Sequence, residues 1–102
     1  MGKRAIISPA ARVDLQSIVE YIAEENPEAA ISFGNKLVVH ALSLTTHSLR
    51  GRLLDPEEAP NVRYLVFKSY PIIYEVDETH ANVSILRFWH GARGEPTLTD
   101  EA

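Results

Sequence analysis

The chain has 102 residues, 45% of them hydrophobic, with 10 Lys and Arg against 14 Asp and Glu and a formal net charge of -4. That length suits one domain around one core and is too short for two, and the acidic balance excludes a protein that coats nucleic acid by charge alone. The absence of cysteine excludes disulfides, thiolate catalysis and cysteine-held zinc, and fits a reducing cytoplasm.

The opening MGKRAIIS carries too short an apolar run before Ser8-Pro9 for a signal-peptide core or a membrane span, so neither export nor a membrane is expected. Lys3 to Ile7 reads as a short strand. Ser8 and Pro9 then read as N-cap and first helical residue, because proline's missing N–H costs nothing there. Ala11, Leu15, Ile18, Val19 and Ile22 recur at helical spacing, with Arg12, Asp14, Gln16 and Glu20 off the stripe, which predicts an amphipathic helix. Asn26-Pro27 repeats the punctuation, so a second helix follows almost without linker and the two form a hairpin. Its stripe is Ala30, Phe33, Leu37, Ala41 and Leu44, widened by Ile31, Val38 and Leu42, and its end is expected near Ser48. Gly34 inside it costs about 1 kcal/mol relative to alanine, which suggests close approach of the first helix.

Arg50-Gly51-Arg52 and Asp55-Pro56-Glu57-Glu58-Ala59-Pro60 read as a loop with an acidic tip. The period then changes: Val62 to Lys68, Tyr70 to Val76 and Asn82 to Trp89 are rich in β-branched and aromatic residues and predict three successive antiparallel strands. The predicted order is β-α-α-β-β-β, an α+β fold in which a helical hairpin packs on a mainly antiparallel four-stranded sheet. Residues 1–94 form the expected single domain, and 95–102, EPTLTDEA, lack an apolar pattern and read as a flexible tail.

No His-Glu-x-x-His, phosphate-binding glycine loop or Gly-x-Ser-x-Gly occurs, so neither a metal nor a cofactor is expected. His40 and His47 share a helix face, but their spacing is too long for one ion. Arg63, Lys68, Arg87, His90 and Arg93, with Tyr64, Tyr70 and Trp89, form the set that could meet a phosphate or act as acid and base. Strict alternation groups Arg87 with Val83, Ile85 and Trp89, and His90 with Leu86 and Phe88, so Arg87 and His90 should not share a site. The plainer reading makes Arg63 and Lys68 solvated strand residues, Trp89 the edge of the core, and His90 a local hydrogen-bonder at the Gly91 turn.

The stretch SYPIIYEVDETHANVSILRFWHGAR, Ser69 to Arg93, together with the element order, resembles the ParE/RelE superfamily of type II toxins. Its most specific parts are Tyr70-Pro71-Ile72-Ile73-Tyr74, the hairpin at Asp77 and Glu78, and the closing Leu86 to Arg93; the opening Ser8-Pro9-Ala10-Ala11 is similar to the family's first helix. RelE-like members cut messenger RNA on the ribosome with lysines, arginines and often a C-terminal tyrosine or histidine in place of a metal. That chemistry needs a base, an acid and cations for the phosphorane. Here the family's lysine positions fall near Val62 and Tyr64, Pro71 stands in place of an arginine, and no tyrosine follows Arg93, which alone matches a RelE catalytic arginine. A ribonuclease would have to work with Arg63, Lys68, Arg87, His90 and Arg93.

The Tyr-Pro strand and the His-Gly-Ala-Arg ending are more similar to the ParE branch, whose characterised members poison DNA gyrase by protein–protein contact. The resemblance therefore implies a non-enzymatic, cytoplasmic plasmid-stabilisation toxin that binds gyrase, makes no specific nucleic-acid contact, and is held by a ParD-like cognate antitoxin in a hetero-oligomer. A sheet covered by two helices leaves an apolar groove and open strand ends for that antitoxin. Leu37, Leu53, Leu54, Phe88, Trp89 and Arg93 are the candidate partner-binding residues. The surface that meets gyrase stays open between the outer side of the hairpin and the end of the last strand. An inactive or retargeted relative that only complexes its antitoxin is a third reading.

Overall fold

In the computed structural model the chain is described from residue 2 to residue 90, so Gly91, Arg93, the domain boundary at 94 and the tail at 95–102 lie outside the described residues. Strand β1, Arg4–Ile7, runs into Ser8, whose extended backbone lets its Oγ accept from the Ala11 N–H at 3.0 Å and start helix α1, Pro9–Ala23. Asn26 does the same for helix α2, Pro27–Leu42, accepting from the Ala29 N–H at 3.1 Å. With both caps in place the hairpin forms as the sequence predicts. Gly34 lies at the crossing, where an added Cβ would stand 2.9 Å from Val19 Cγ2. The second helix stops at Leu42, short of the expected Ser48, and a 3-10 turn over Ser43–Thr45 takes over. The Ser43 and Thr45 hydroxyls donate back to His40 O at 2.6 Å and Leu42 O at 2.8 Å, offering the chain an alternative to helical bonding.

Four further strands follow: β2 Arg52–Asp55, β3 Ala59–Phe67, β4 Tyr70–Asp77 and β5 Asn82–Phe88. They form one sheet in the order β1-β5-β4-β3-β2, with β1 parallel to β5 and the other pairs antiparallel. The α+β architecture is as read from the sequence, but among the described residues the sheet has five strands rather than four. The added strand is β2, from the segment read as a loop, and it pairs Arg52 with Tyr64 and Leu53 with Arg63. Strand β3 accordingly begins at Ala59, ahead of the expected Val62. Lys68 and Ser69, both at positive φ, make the two-residue turn that closes β3 onto β4 at Phe67 and Tyr70.

The helices cover one face of the sheet, burying Ala11, Ile18, Leu37, Ala41 and Leu44 against Ile72, Tyr74, Val83, Ile85 and Phe88. On the opposite face Val62, Ile73 and Trp89 form a smaller cluster with Leu54, Tyr64 and Leu86 packed against it. Ile73 pairs with Arg87 and Tyr74 with Ile85, so Leu86 is an extra residue in β5. This bulge corrects the strict alternation read from the sequence: Phe88 joins Val83 and Ile85 in the helix-side core, while Leu86 and Trp89 pack on the far side.

Candidate interaction surfaces

Among the described residues, no strand lies beside the outer edge of β5 beyond Ile85, because its neighbour β1 ends at Ile7. Side chains supply the missing partners. Ser8 Oγ donates to Leu86 O at 2.9 Å, and Asp14 Oδ2 accepts from the Phe88 N–H at 3.1 Å. Arg87 closes on the same carboxylate, Nε to Oδ2 at 2.6 Å and Nη2 to Oδ1 at 2.8 Å, with its Cζ 5.4 Å from the Trp89 ring centroid. Asp14 is 4% exposed. Its expected place off the buried stripe is thereby corrected, and the spacing from Ala11 and to Ile18 was the signal for it.

Arg63 is likewise engaged. Its Nη1 donates to Gly51 O at 2.7 Å, while the buried Tyr74 hydroxyl accepts from the Gly51 N–H at 2.9 Å and donates to Ser48 O at 2.8 Å. These bonds hold the chain where it enters β2. Burial pushes the Tyr74 phenol above its ordinary range, with the Gly51 bond and the Arg63 and Arg50 charges opposing that shift.

His90 lies edge-on to Tyr21, ring centroids 4.8 Å apart, and 5.8 Å from Tyr70. From Tyr70 the ring contacts continue to Phe33 at 5.2 Å, from Phe33 to Phe67 at 5.9 Å, and from Phe67 to His40 at 4.6 Å. This aromatic seam runs where the helical hairpin meets the β3–β4 hairpin. Burial, and then the Tyr21 phenol, raise the Tyr70 pKa. Lys68, in the turn beside the seam, lines a depression of 620 Å³ with Lys36, Val39, His40, Arg50 and Phe67.

The sequence-predicted set is therefore divided among different partners: Arg63 on the Gly51 carbonyl, Arg87 on Asp14, His90 between two tyrosines, and Lys68 on a surface turn. Arg93 lies outside the described residues. Among the predicted partner-binding residues, Leu37, Phe88 and Trp89 are 0%, 1% and 4% exposed. That burial corrects their expected place in an open groove. Leu53 and Leu54 are half-buried on the edge strand β2, Leu54 against the far-side cluster. Sequence reasoning missed Lys36 and Val39, and it assigned Ile31 and Leu42 to the core although they are 65% and 41% exposed. Ile31, Val39 and Leu42 form a second apolar stripe on the outer side of α2, visible as helical spacing once the inner stripe is assigned.

Comparison with known proteins adds two kinds of similarity. The family model for the ParE toxin of type II toxin–antitoxin system, parDE, matches residues 5–94. Among solved structures, the chromosomal ParDE TA system from P. aeruginosa superposes with a TM-score of 0.70 at 23% identity, covering 86% of this chain and 95% of that chain. The toxin–antitoxin complex RelBE2 from Mycobacterium tuberculosis superposes with a TM-score of 0.64 at 25% identity, covering 88% of this chain and 99% of that chain. A search of curated proteins finds no match.

Proposed function

The chain belongs to the ParE toxin family of type II toxin–antitoxin systems, and from that premise we propose that it inhibits DNA gyrase in the cytoplasm by protein–protein contact and is neutralised by a cognate, ParD-like antitoxin. The observation that carries this reading over a RelE-like ribonuclease is the engagement of the candidate cations. Metal-free phosphoryl transfer needs cations aimed at the developing charge on phosphorus. Arg63 and Arg87 instead hold the Gly51 carbonyl and the Asp14 carboxylate. The net charge of -4 also opposes tight engagement of a ribosome.

The test is to add the purified protein to a gyrase supercoiling and cleavage assay and, in parallel, to translating ribosomes with labelled message. Lost supercoiling with intact message is the expected result. Cleaved message with unaffected gyrase would overturn the proposal in favour of the ribonuclease.

A further inference from the structure

Two places stay open in the sequence for the gyrase contact, the outer side of the helical hairpin and the end of the last strand. In the fold they meet. Tyr21, on the exposed side of α1, is 57% exposed. His90, two residues beyond the end of β5 at Phe88, lies edge-on to it with ring centroids 4.8 Å apart, and Tyr70 stands 5.8 Å from His90. The chain that delivers His90 is fastened to the start of the same helix, with Ser8 Oγ donating to Leu86 O and Asp14 accepting from the Phe88 N–H. Tyr21 is thus an exposed aromatic held in one orientation. Such side chains dominate protein–protein binding, because they bury a large area and have little freedom left to lose.

The charges around Tyr21 run against helix stability. Glu20, Glu24 and Glu25 sit at the C-terminal end of α1, where the helix dipole is negative and favours cations. Glu20 and Glu24 also repel each other at i,i+4. No Lys or Arg occurs between Arg12 and Lys36 to offset them. Gln16 donates to Glu20 at 3.2 Å, and among the described residues Glu24 and Glu25 make no ion pair. All three carboxylates are exposed. Charges that weaken the helix carrying them, and that gain no countercharge within the fold, match a partner that brings cations to the aromatic anchor. Gyrase carries such surfaces, because it holds the phosphates of DNA.

We propose that Tyr21, held by His90 and rimmed by Glu20, Glu24 and Glu25, is the surface that docks a cationic patch of gyrase, which deepens the gyrase reading and rests on it. The full chain is titrated into a gyrase supercoiling assay, and onto gyrase in a calorimeter at low and raised salt. Each variant is also measured for thermal midpoint and for binding to the protein encoded in the adjacent reading frame. Wild type inhibits and binds, and binding weakens as salt rises. Tyr21→Ala stays folded and keeps the adjacent-frame protein, but inhibits at least about tenfold more weakly, and Tyr21→Phe restores inhibition. Glu24→Lys with Glu25→Lys raises the thermal midpoint by about 4 °C or more, yet inhibits at least about tenfold more weakly. A merely structural role for these carboxylates would not couple gained stability to lost inhibition. Inhibition by both variants as strong as that of wild type would overturn the surface and leave the gyrase reading standing. Wild type that leaves gyrase unaffected would overturn both. Loss of the adjacent-frame protein in the same variants, or of a self-associated species in sedimentation, would reassign the surface to that protein or to a second copy and overturn the proposal.

Discussion

Arg87 on β5 and Asp14 on α1 meet through two parallel hydrogen bonds, and the same carboxylate accepts the Phe88 N–H. One side chain thus ties the first helix to the last strand at the point where β1 has ended. Asp14→Ala removes both the countercharge of a guanidinium that is 12% exposed and the acceptor of a buried amide. The expected loss is about 3 kcal/mol in urea unfolding. Asp14→Ala combined with Arg87→Met should recover part of it, since no buried charge then lacks its partner. A single-variant loss under about 0.5 kcal/mol, the size of a neutral surface change, would show that the pair does not anchor the helix.

Tyr74 and Arg63 make a second prediction, which separates structure from catalysis. Tyr74→Phe deletes the donor to Ser48 O and the acceptor of the Gly51 N–H, and should cost roughly 1–3 kcal/mol. Gly51→Ala should cost more, because its Cβ would sit 2.6 Å from Tyr64 O, a backbone atom of the β2–β3 pairing, and 2.6 Å from the Tyr74 hydroxyl. Arg63→Met should lower the thermal midpoint yet leave growth inhibition intact at a temperature where the variant is folded. Abolished toxicity in a folded Arg63→Met chain would instead restore Arg63 to a site of chemistry.

These two anchors also show what the sequence could and could not disclose. Both helix starts were legible because Ser8-Pro9 and Asn26-Pro27 act locally, through a side-chain acceptor and a fixed φ. Strand β2 was not, because Leu53 and Leu54 between Arg52 and Asp55 are too few to set a period, and pairing with β3 makes them a strand. Asp14 had core spacing, but a carboxylate argues for solvent until its partner, 73 residues away, is known. The bulge at Leu86 has no glycine or proline to announce it, and it inverted the face assigned to Phe88 and Trp89. For the same reason the depression beside α2 was out of reach: Lys36, Arg50 and Lys68 come together only through the fold.

Gly34 supplies a prediction about the hairpin itself. In an open helix, alanine would gain about 1 kcal/mol over glycine. Here the added Cβ would meet Val19 Cγ2 at 2.9 Å, and valine's stiff χ1 limits its retreat. Overpacking of this kind costs roughly 1–3 kcal/mol, so Gly34→Ala alone should be neutral to destabilising. In a Val19→Ala background the obstruction is gone, and the same substitution should stabilise. The double-mutant cycle, read by denaturant midpoints, should show a coupling of opposite sign to the single effect. Additive behaviour would mean that the two helices do not touch at Gly34.

The pH dependence of stability follows from Tyr74, Tyr70 and Asp77. Burial raises both phenols above their ordinary value of 10.0. Above that value the unfolded chain releases its phenolic protons while the folded chain keeps them, so the unfolded state binds fewer protons and stability falls with rising pH. The tyrosine contribution is therefore complete below 10.0 and is lost as pH climbs through the folded values. Tyr74→Phe should flatten that alkaline decline without abolishing it, because Tyr70 still titrates. At the acid end the hydrogen bonds from His80 hold the Asp77 carboxyl below its ordinary 3.8, so its contribution is present above 3.8 and lost as pH falls through the folded value. The pair is exposed, so Asp77→Asn should flatten the acid limb only slightly. Urea midpoints across pH, with tyrosinate absorbance followed in parallel, read both limbs. An alkaline slope as steep in Tyr74→Phe as in wild type would mean that the phenol bridging Ser48 and Gly51 is not protected from ionisation in the folded chain.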